Sequence, residues 1–344
     1  MRILISCDPM LPVPPLKYGG IERIAASLIE EYKSRGHQVA LLAKAGSTSV
    51  VDRFYVWPGE NVSDKRDTFI NAHALWRAAR DFKADLVHSF SRLAYLIPLL
   101  ILNRRLPKIM SYQRHVGARQ IRWSRRMGGP QLRFTGCSNF ICEQGRVGGG
   151  AWHAIPNFVD TRKFDFVSAV EKDAPLVFLS RIESIKGVDL AIAIAKKTQR
   201  RLIIAGNRIE SGPEAKFFAE KVAPHLDQHQ IEWIGEVDDT AKNKLLGSAA
   251  ALVVPVQWDE PFGIVFAEAL ATGTPVITCA RGALPEIVTP GKTGFFITNV
   301  EEAALAVSQI PTLDRTACRV VAETKFSLSV CADQYLTLYK ESLK

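Results

Sequence analysis

Residues 258–294 read WDEPFGIVFAEALATGTPVITCARGALPEIVTPGKTG. Gly263 opens an apolar helix over 263–273, and PVIT at 275–278 follows as a short, continuously apolar strand. Such a strand suits a parallel sheet buried on both faces. Glu260 and Glu268 stand on either side of the helix start, with seven residues between them. The free amides of a helix N-terminus hold an anion, and a carboxylate accepts hydrogens from both hydroxyls of a sugar diol. Two carboxylates beside a helix N-terminus therefore suit a sugar nucleotide. The plain alternative is one capping acid and one solvated acid.

The strand–helix alternation extends outward from this stretch. Towards the N-terminus lie strands 176–180, 201–205, 231–234 and 251–254, with helices 186–199, 213–223 and 240–248 between them. Beyond it, shorter helices fill 301–323. A last helix over about 328–343 carries Leu328, Cys331, Tyr335, Leu338 and Tyr339 on one face. The first half repeats the theme, with strands 2–7, 38–43, 53–57, 85–88, 108–112, 132–136 and 152–155 and helices 21–35, 66–83, 91–103 and 139–145. In 21–35, Ile21, Ile24, Ala25, Leu28, Ile29 and Tyr32 form one stripe at the helical period. The polar stretch 156–175, with Pro at both ends, reads as a linker. The pattern predicts an α/β chain of two Rossmann-like, doubly wound domains facing across a cleft, 1–165 and 166–326, with a C-terminal helix 327–344 crossing back to the first domain.

The 344 residues, 47% hydrophobic and 23% charged, exclude disordered, collagen-like and coiled-coil classes. At roughly 150 residues per domain the length also suggests two. The longest apolar run, 93–102, is interrupted by Pro98 and falls short of the about 20 residues that span a bilayer. The N-terminal apolar stretch is too short for a signal peptide. The six Cys show no C-x-x-C spacing and read as reduced, buried thiols of a cytoplasmic protein, with no structural zinc. The formal charge of +9 is unevenly shared. Residues 1–165 carry 25 Lys or Arg against 13 Asp or Glu, a net of +12, whereas 166–344 carry 19 against 22, a net of −3. Within 114–133 lie Arg114, Arg119, Arg122, Arg125, Arg126 and Arg133 without one acid.

The sequence Glu260-Pro-Phe-Gly, then Glu268, ALATGTPVI and GALPEIV resembles the retaining glycosyltransferase family numbered four, also described as glycosyl transferases group 1. YGGIERIAASLIEEYKSRGHQV near the N-terminus, IPNFVD before the linker and LSRIESIKGVDLAI match in order, so the resemblance spans nearly the whole chain. It implies the GT-B fold and a nucleotide-sugar donor, commonly a UDP-sugar. Carried over by position, Arg181 and Lys186 look like the pair that neutralises the donor diphosphate. They follow the first strand of the second half, at the end where open α/β sheets bind ligands, and a diphosphate leaving group needs fixed positive charge. No D-x-D occurs, and neither a metal nor another cofactor is expected. Glu268 looks like the residue that holds the donor ribose, and Glu260 the catalytic-site carboxylate on the hexose hydroxyls. The amides of Phe262, Gly263 and Ile264 would face sugar and phosphate. Gly206 and Val237 fall where the family lines the base pocket. Gly19 and Gly20 form the glycine loop that approaches donor and acceptor. Asn157 and Asp160 read as structural.

One position departs from the family. Many relatives carry a His at the end of the strand that is 108–112 here, where this chain has Gln113, Arg114 and His115. Either His115 takes the catalytic role by a small loop shift, or Gln113 and Arg114 bind the acceptor. His88, at another strand end, reads as a packed core histidine. The resemblance implies a front-face, retaining displacement in which the protein supplies positioning and electrostatic stabilisation. A basic first domain points to an anionic partner: a phosphorylated or lipid-linked glycan acceptor of the lipopolysaccharide or surface-polysaccharide type, and the anionic inner face of the cell membrane as a peripheral contact. Nucleic acid is not expected. Two other classes stay open, a non-catalytic nucleotide-sugar-binding GT-B protein and a GT-B epimerase. The first strand is not followed by G-x-G-x-x-G, which argues against a dinucleotide dehydrogenase.

Overall fold

Two parallel sheets organise the chain in the computed structural model, which describes residues 1–16 and 19–344. Tyr18, the first residue of the glycine-loop motif, lies outside the described residues. The chain divides into one unit of 1–158 with 328–344 and a second of 159–327.

The first unit contains β1 (Arg2–Ser6), α1 (Gly20–Ser34), β2 (Gln38–Ala43), β3 (Arg53–Val56), α2 (Lys65–Asp81), β4 (Leu86–Ser89), α3 (Ile97–Leu102), β5 (Lys108–Tyr112), α4 (Ala118–Gly128), β6 (Leu132–Gly136), α5 (Asn139–Arg146) and β7 (Ala151–Ala154). Its seven strands run parallel in the order β3-β2-β1-β4-β5-β6-β7. The interior strands β1 and β4 are almost wholly buried, as strands covered by helices on both faces are. The second unit contains β8 (Leu176–Leu179), α6 (Val188–Thr198), β9 (Leu202–Ala205), α7 (Gly212–Phe217), β10 (Ile231–Trp233), α8 (Asp239–Ser248), β11 (Ala251–Val253), α9 (Ile264–Thr272), β12 (Val276–Thr278), α10 (Leu284–Ile287), β13 (Gly294–Phe296), α11 (Val300–Gln309) and α12 (Arg315–Lys325). Its six parallel strands follow β10-β9-β8-β11-β12-β13. Each sheet therefore winds outward from its first strand in one direction and then in the other, which is the doubly wound arrangement. The last helix, α13 (Leu328–Ser342), belongs to the first unit and packs on α1.

Several elements differ from the sequence expectation. The helix expected over 91–103 is a 3₁₀ turn, 93–96, followed by α3, because Pro98 sits in the first turn of a restarted helix. The helix expected over 213–223 stops at Phe217 and continues as a π turn, 218–222, and a 3₁₀ turn. Pro224 lacks an amide and its ring crowds the preceding turn. Helix α4 and strand β13 were not expected at all. The stretch 160–175 is strapped onto the second unit: Arg319 donates to the carbonyls of Thr161 and Phe164, and Arg315 to that of Val167. The cysteines are thiols, five of them buried and Cys279 half-buried. Among the described residues no helix is long and apolar enough to cross a membrane.

A buried hydrogen-bond chain ties α13 to the first sheet. His88 on β4 pairs through Nε2 with the Ser111 hydroxyl at 2.6 Å and through Nδ1 with the Tyr339 hydroxyl at 2.5 Å; Tyr339 in turn meets Tyr32 at 3.1 Å. Complete burial pulls the His88 pKa down to about 3, so the ring is neutral in the folded chain. An unfolded histidine titrates near ~6.5. The native pKa lies below that value, so the stability is complete above about pH 6.5 and is lost as pH falls from there towards 3. We expect urea denaturation of the wild type to show a stability slope of about 1.4 kcal/mol per pH unit from this group between pH 6 and 4. His88→Gln should flatten that part of the profile; an unchanged slope would contradict the buried neutral ring.

Candidate functional site

In a doubly wound sheet the ligand crevice forms where neighbouring strands send their connections to opposite sides, at the carboxyl ends. In the second unit that point lies between β8 and β11. The chain leaving β8 carries Arg181 and Lys186, and the chain leaving β11 carries Trp258 and Glu260. Lys186 Nζ lies 2.6 Å from Glu260 Oε2 and 4.8 Å from the centre of the Trp258 ring, whose Nε1 donates to the same carboxylate oxygen at 2.9 Å. Glu260 is 8% exposed, so the ion pair is largely desolvated. Arg181 donates to Glu183 Oε1 at 2.7 Å, and Glu183 is buried too. Ser184 is pinned through its amide and hydroxyl by Glu214, at 2.7 and 2.8 Å, which fixes the turn between the two cations.

The remaining residues of this unit are placed by the same rim. Gly263, with φ 81°, is the N-cap of α9, and Phe266 N to Gly263 O at 3.1 Å is a first-turn hydrogen bond. Phe262 turns its ring into the core, edge-on to Phe326 at 5.6 Å, so only its backbone is offered with Ile264. Glu268, one turn along α9, pairs with Lys242 of α8 at 2.5 Å. Burial alone would lower the Lys242 ammonium; the Glu268 and Asp239 carboxylates overcome this and hold it above the ordinary lysine value. Gly206 follows β9 with φ 137°, and a Cβ there would stand 1.9 Å from the Ser180 carbonyl oxygen, against the strand end that leads to Arg181. Val237 is half-buried just before Asp238, the N-cap of α8. Asp160 caps the 3₁₀ turn 161–163 and chelates Arg162, while Asn157 is 7% exposed.

In the first unit the switch point lies between β1 and β4, and there the rim encloses a cavity of about 650 Å³. Its walls include Asp8 after β1, Ser91 and Arg92 after β4, and the run 112–115 after β5. Gln113, Arg114 and His115 therefore share one cavity. Among the described residues the buried Gln113 amide and the Tyr112 hydroxyl have no hydrogen-bond partner. Burial pushes the Asp8 carboxyl up, against the pull of Arg92 and Arg114. Glu22 is raised first by its own burial and further by Asp8. Gly19 is buried beside Pro15 and Glu22, and Gly20 begins α1.

Sequence reasoning missed Trp258, Lys242, Glu183 and Asp8. Trp258 and Asp8 stand in plain view at strand ends. The other two are recognisable only through partners distant in sequence or, for Glu183, through burial.

The GALPEIV segment shows why Glu260 is held firmly. Ala283 N donates to the Glu260 carbonyl at 2.8 Å, and Gly282, with φ 58°, lies so close that a Cβ would be 2.3 Å from that oxygen. Gly282→Ala is expected to cost roughly 2–4 kcal/mol of stability, from strain and displaced backbone, measurable by thermal or urea unfolding. A cost within about 0.5 kcal/mol would mean that the loop yields freely.

The family model described as "Glycosyl transferases group 1" matches residues 160–317, and "Glycosyltransferase Family 4" matches 18–163. The chain is 32% identical over 170 residues to a glycogen synthase of Mycobacterium tuberculosis, a match that covers 47% of this chain and 40% of that one, so it spans less than half of that relative. It is 26% identical over 386 aligned positions to a phosphatidyl-myo-inositol mannosyltransferase of the same species, covering 99% and 97% of the two chains. Among solved structures, AviGT4, a glycosyltransferase involved in avilamycin A biosynthesis, superposes with a TM-score of 0.73 at 25% identity over 99% of this chain and 98% of that one.

Proposed function

The chain belongs to the GT-B glycosyltransferases of family four, also described as glycosyl transferases group 1, and from that premise we propose that it moves a hexose-type sugar from a UDP-sugar to an anionic or lipid-linked glycan acceptor. The observation that carries the reading is the Lys186–Glu260–Trp258 cluster at the switch point of the second sheet, with Arg181 on the same strand end. Lys186 and Arg181 take the donor diphosphate. In the absence of donor the Lys186 ammonium satisfies Glu260, so diphosphate binding hands the carboxylate to the hexose hydroxyls. Glu268 holds the ribose hydroxyls, with Lys242 fixing its orientation. The amides of Phe262, Gly263 and Ile264 serve sugar and phosphate, and Gly206 and Val237 border the base.

The reaction in this reading is a retaining, front-face displacement that asks no metal of the protein. The bond from the anomeric carbon to the diphosphate oxygen breaks, and the electrons stay on the leaving diphosphate. The acceptor hydroxyl bonds to the same face of the sugar and gives its proton to that departing oxygen. The fixed cations stabilise the charge as it develops. On the acceptor side, Gln113, Arg114 and His115, with the glycine loop at Gly19 and Gly20, present hydrogen-bonding groups and positive charge. The full-length relative named a phosphatidyl-myo-inositol mannosyltransferase supports an acceptor class in which a polyol is joined to a phosphate and a lipid. Cell-envelope lipopolysaccharide or polysaccharide intermediates share that chemistry, and the anionic inner face of the membrane is where they would be met.

A thermal-shift screen of UDP-, GDP- and ADP-sugars tests the donor. A ligand at a hundred times its Kd stabilises a fold by about 2.7 kcal/mol, and the UDP-sugar should give the largest shift. Lys186→Ala and Glu268→Ala should each remove the shift and most of the transfer activity while leaving the melting curve of the free chain cooperative. Wild-type turnover in purified Lys186→Ala would overturn the donor assignment.

A further inference from the structure

Between Asp85 and Glu143 the sequence holds no acidic residue, and every charged side chain in that span is a cation. The span includes α3 and α4, which pack against each other. Along α4, Ile121, Ser124 and Gly128 face inward, at the helical period. The opposite stripe is Arg119, Arg122, Trp123 and Arg126, all exposed. Trp123 is 50% exposed, and on neighbouring α3 Ile101 is 54% and Leu102 is 65% exposed. Among the described residues none of the three arginines of the stripe is ion-paired. The same face opens on the cavity of the first unit, since Ile97, Arg119 and Trp123 line it. Ile97 and Ile101 are one helical turn apart, so the apolar wall of the cavity continues outward as an exposed apolar edge.

We propose that the face formed by α3 and α4 docks on an anionic lipid bilayer, with the arginines among the headgroups and Trp123, Ile101 and Leu102 at the level where headgroup meets acyl chain. Each part of the face suits that position. Basic side chains on a helix are drawn to anionic lipid. An indole is at home in the interfacial region because it offers both an apolar body and an N–H. The arginine stems lie along apolar surface while their guanidinium groups stay in the polar layer. The cavity mouth is then held at the bilayer, and a lipid-linked acceptor reaches Gln113 and Arg114 without its chain having to pass through water. This deepens the lipid-acceptor reading and rests on it for its purpose. The charge of the face selects the occupant, since a neutral surface would gain nothing from an unpaired arginine stripe.

The test is flotation of the full-length chain with vesicles of phosphatidylcholine alone or mixed with phosphatidylglycerol, at low and at physiological salt. Wild type should float with the mixed vesicles and not with phosphatidylcholine, and more weakly as salt rises. Arg122→Gln with Arg126→Gln should bind about thirtyfold more weakly, at about fivefold per cation. Ile101→Ser with Leu102→Ser should keep the salt-sensitive attraction and lose the salt-resistant remainder. Vesicles should shift tryptophan emission to the blue in wild type, and Trp123→Phe should abolish most of that shift. Absence of flotation at low salt, or full flotation of the double-arginine variant, overturns the proposal. So does arginine-dependent binding of an oligonucleotide or polyglutamate with vesicles left unbound, or self-association that buries the stripe. The donor-induced thermal shift is the separate control. It should be unchanged in the double-arginine variant, and its loss in wild type would count against the proposed function without touching the flotation result.

Discussion

A parallel sheet covered by helices on both faces leaves a ligand only its rim. Both sheets here bury their interior strands from both sides, so the polar groups that can meet a ligand gather at the strand ends. The polar groups that line the two candidate sites converge where strands end: Lys186, Glu260 and Trp258 after β8 and β11, and Asp8, Arg92 and Gln113 after β1, β4 and β5. The two units use one geometric solution for two chemistries. In the second the rim holds a desolvated cation–carboxylate pair, and in the first it encloses a cavity with orphaned amide and hydroxyl groups. The charge difference between the halves follows the same division, since Arg92, Arg114 and Arg119 line the cavity of the first unit.

The alternation of strands and helices was legible because the strands are unbroken apolar runs and α1 has a clean helical stripe. Glu260, Glu268 and Gly263 were legible because their spacing is local. Helix α4 was not, since its inward face holds one large apolar residue, Ile121, beside Ser124 and Gly128, and so leaves no hydrophobic period to read. Strand β13 is only three residues long and gains its identity from pairing with β12. The pairing of Lys186 with Glu260 joins residues far apart in sequence and appears only once β8 and β11 lie side by side. Lys242 and Glu268 meet for the same reason, through neighbouring helices. The departure at Gln113 was visible as a residue type, but its meaning was not. An amide with neither donor nor acceptor satisfied is a property of the enclosure around it.

The first unit also holds a buried polar network. Tyr32, Tyr339, His88, Ser111 and Thr135 form a direct, buried chain of hydrogen bonds through the sheet and its covering helices. Every hydroxyl and ring nitrogen of such a chain depends on its neighbours, so it specifies one seat for α13 more sharply than apolar packing alone would. Ser111 also lines the cavity, which ties the floor of that cavity to the helix on the far end of the sequence.

That connectivity makes the second unit an insertion within the first. A chain made from its N-terminus completes the inserted unit before it completes the one that began earlier. Until α13 has been synthesised, His88 and Tyr32 lack their partner and the groove meant for that helix stands open to water. The half-built unit then leaves uncovered the apolar face on which α13 packs. Helix α13, made after the whole inserted unit, thus supplies the hydroxyl that His88 and Tyr32 of the earlier-made part bind.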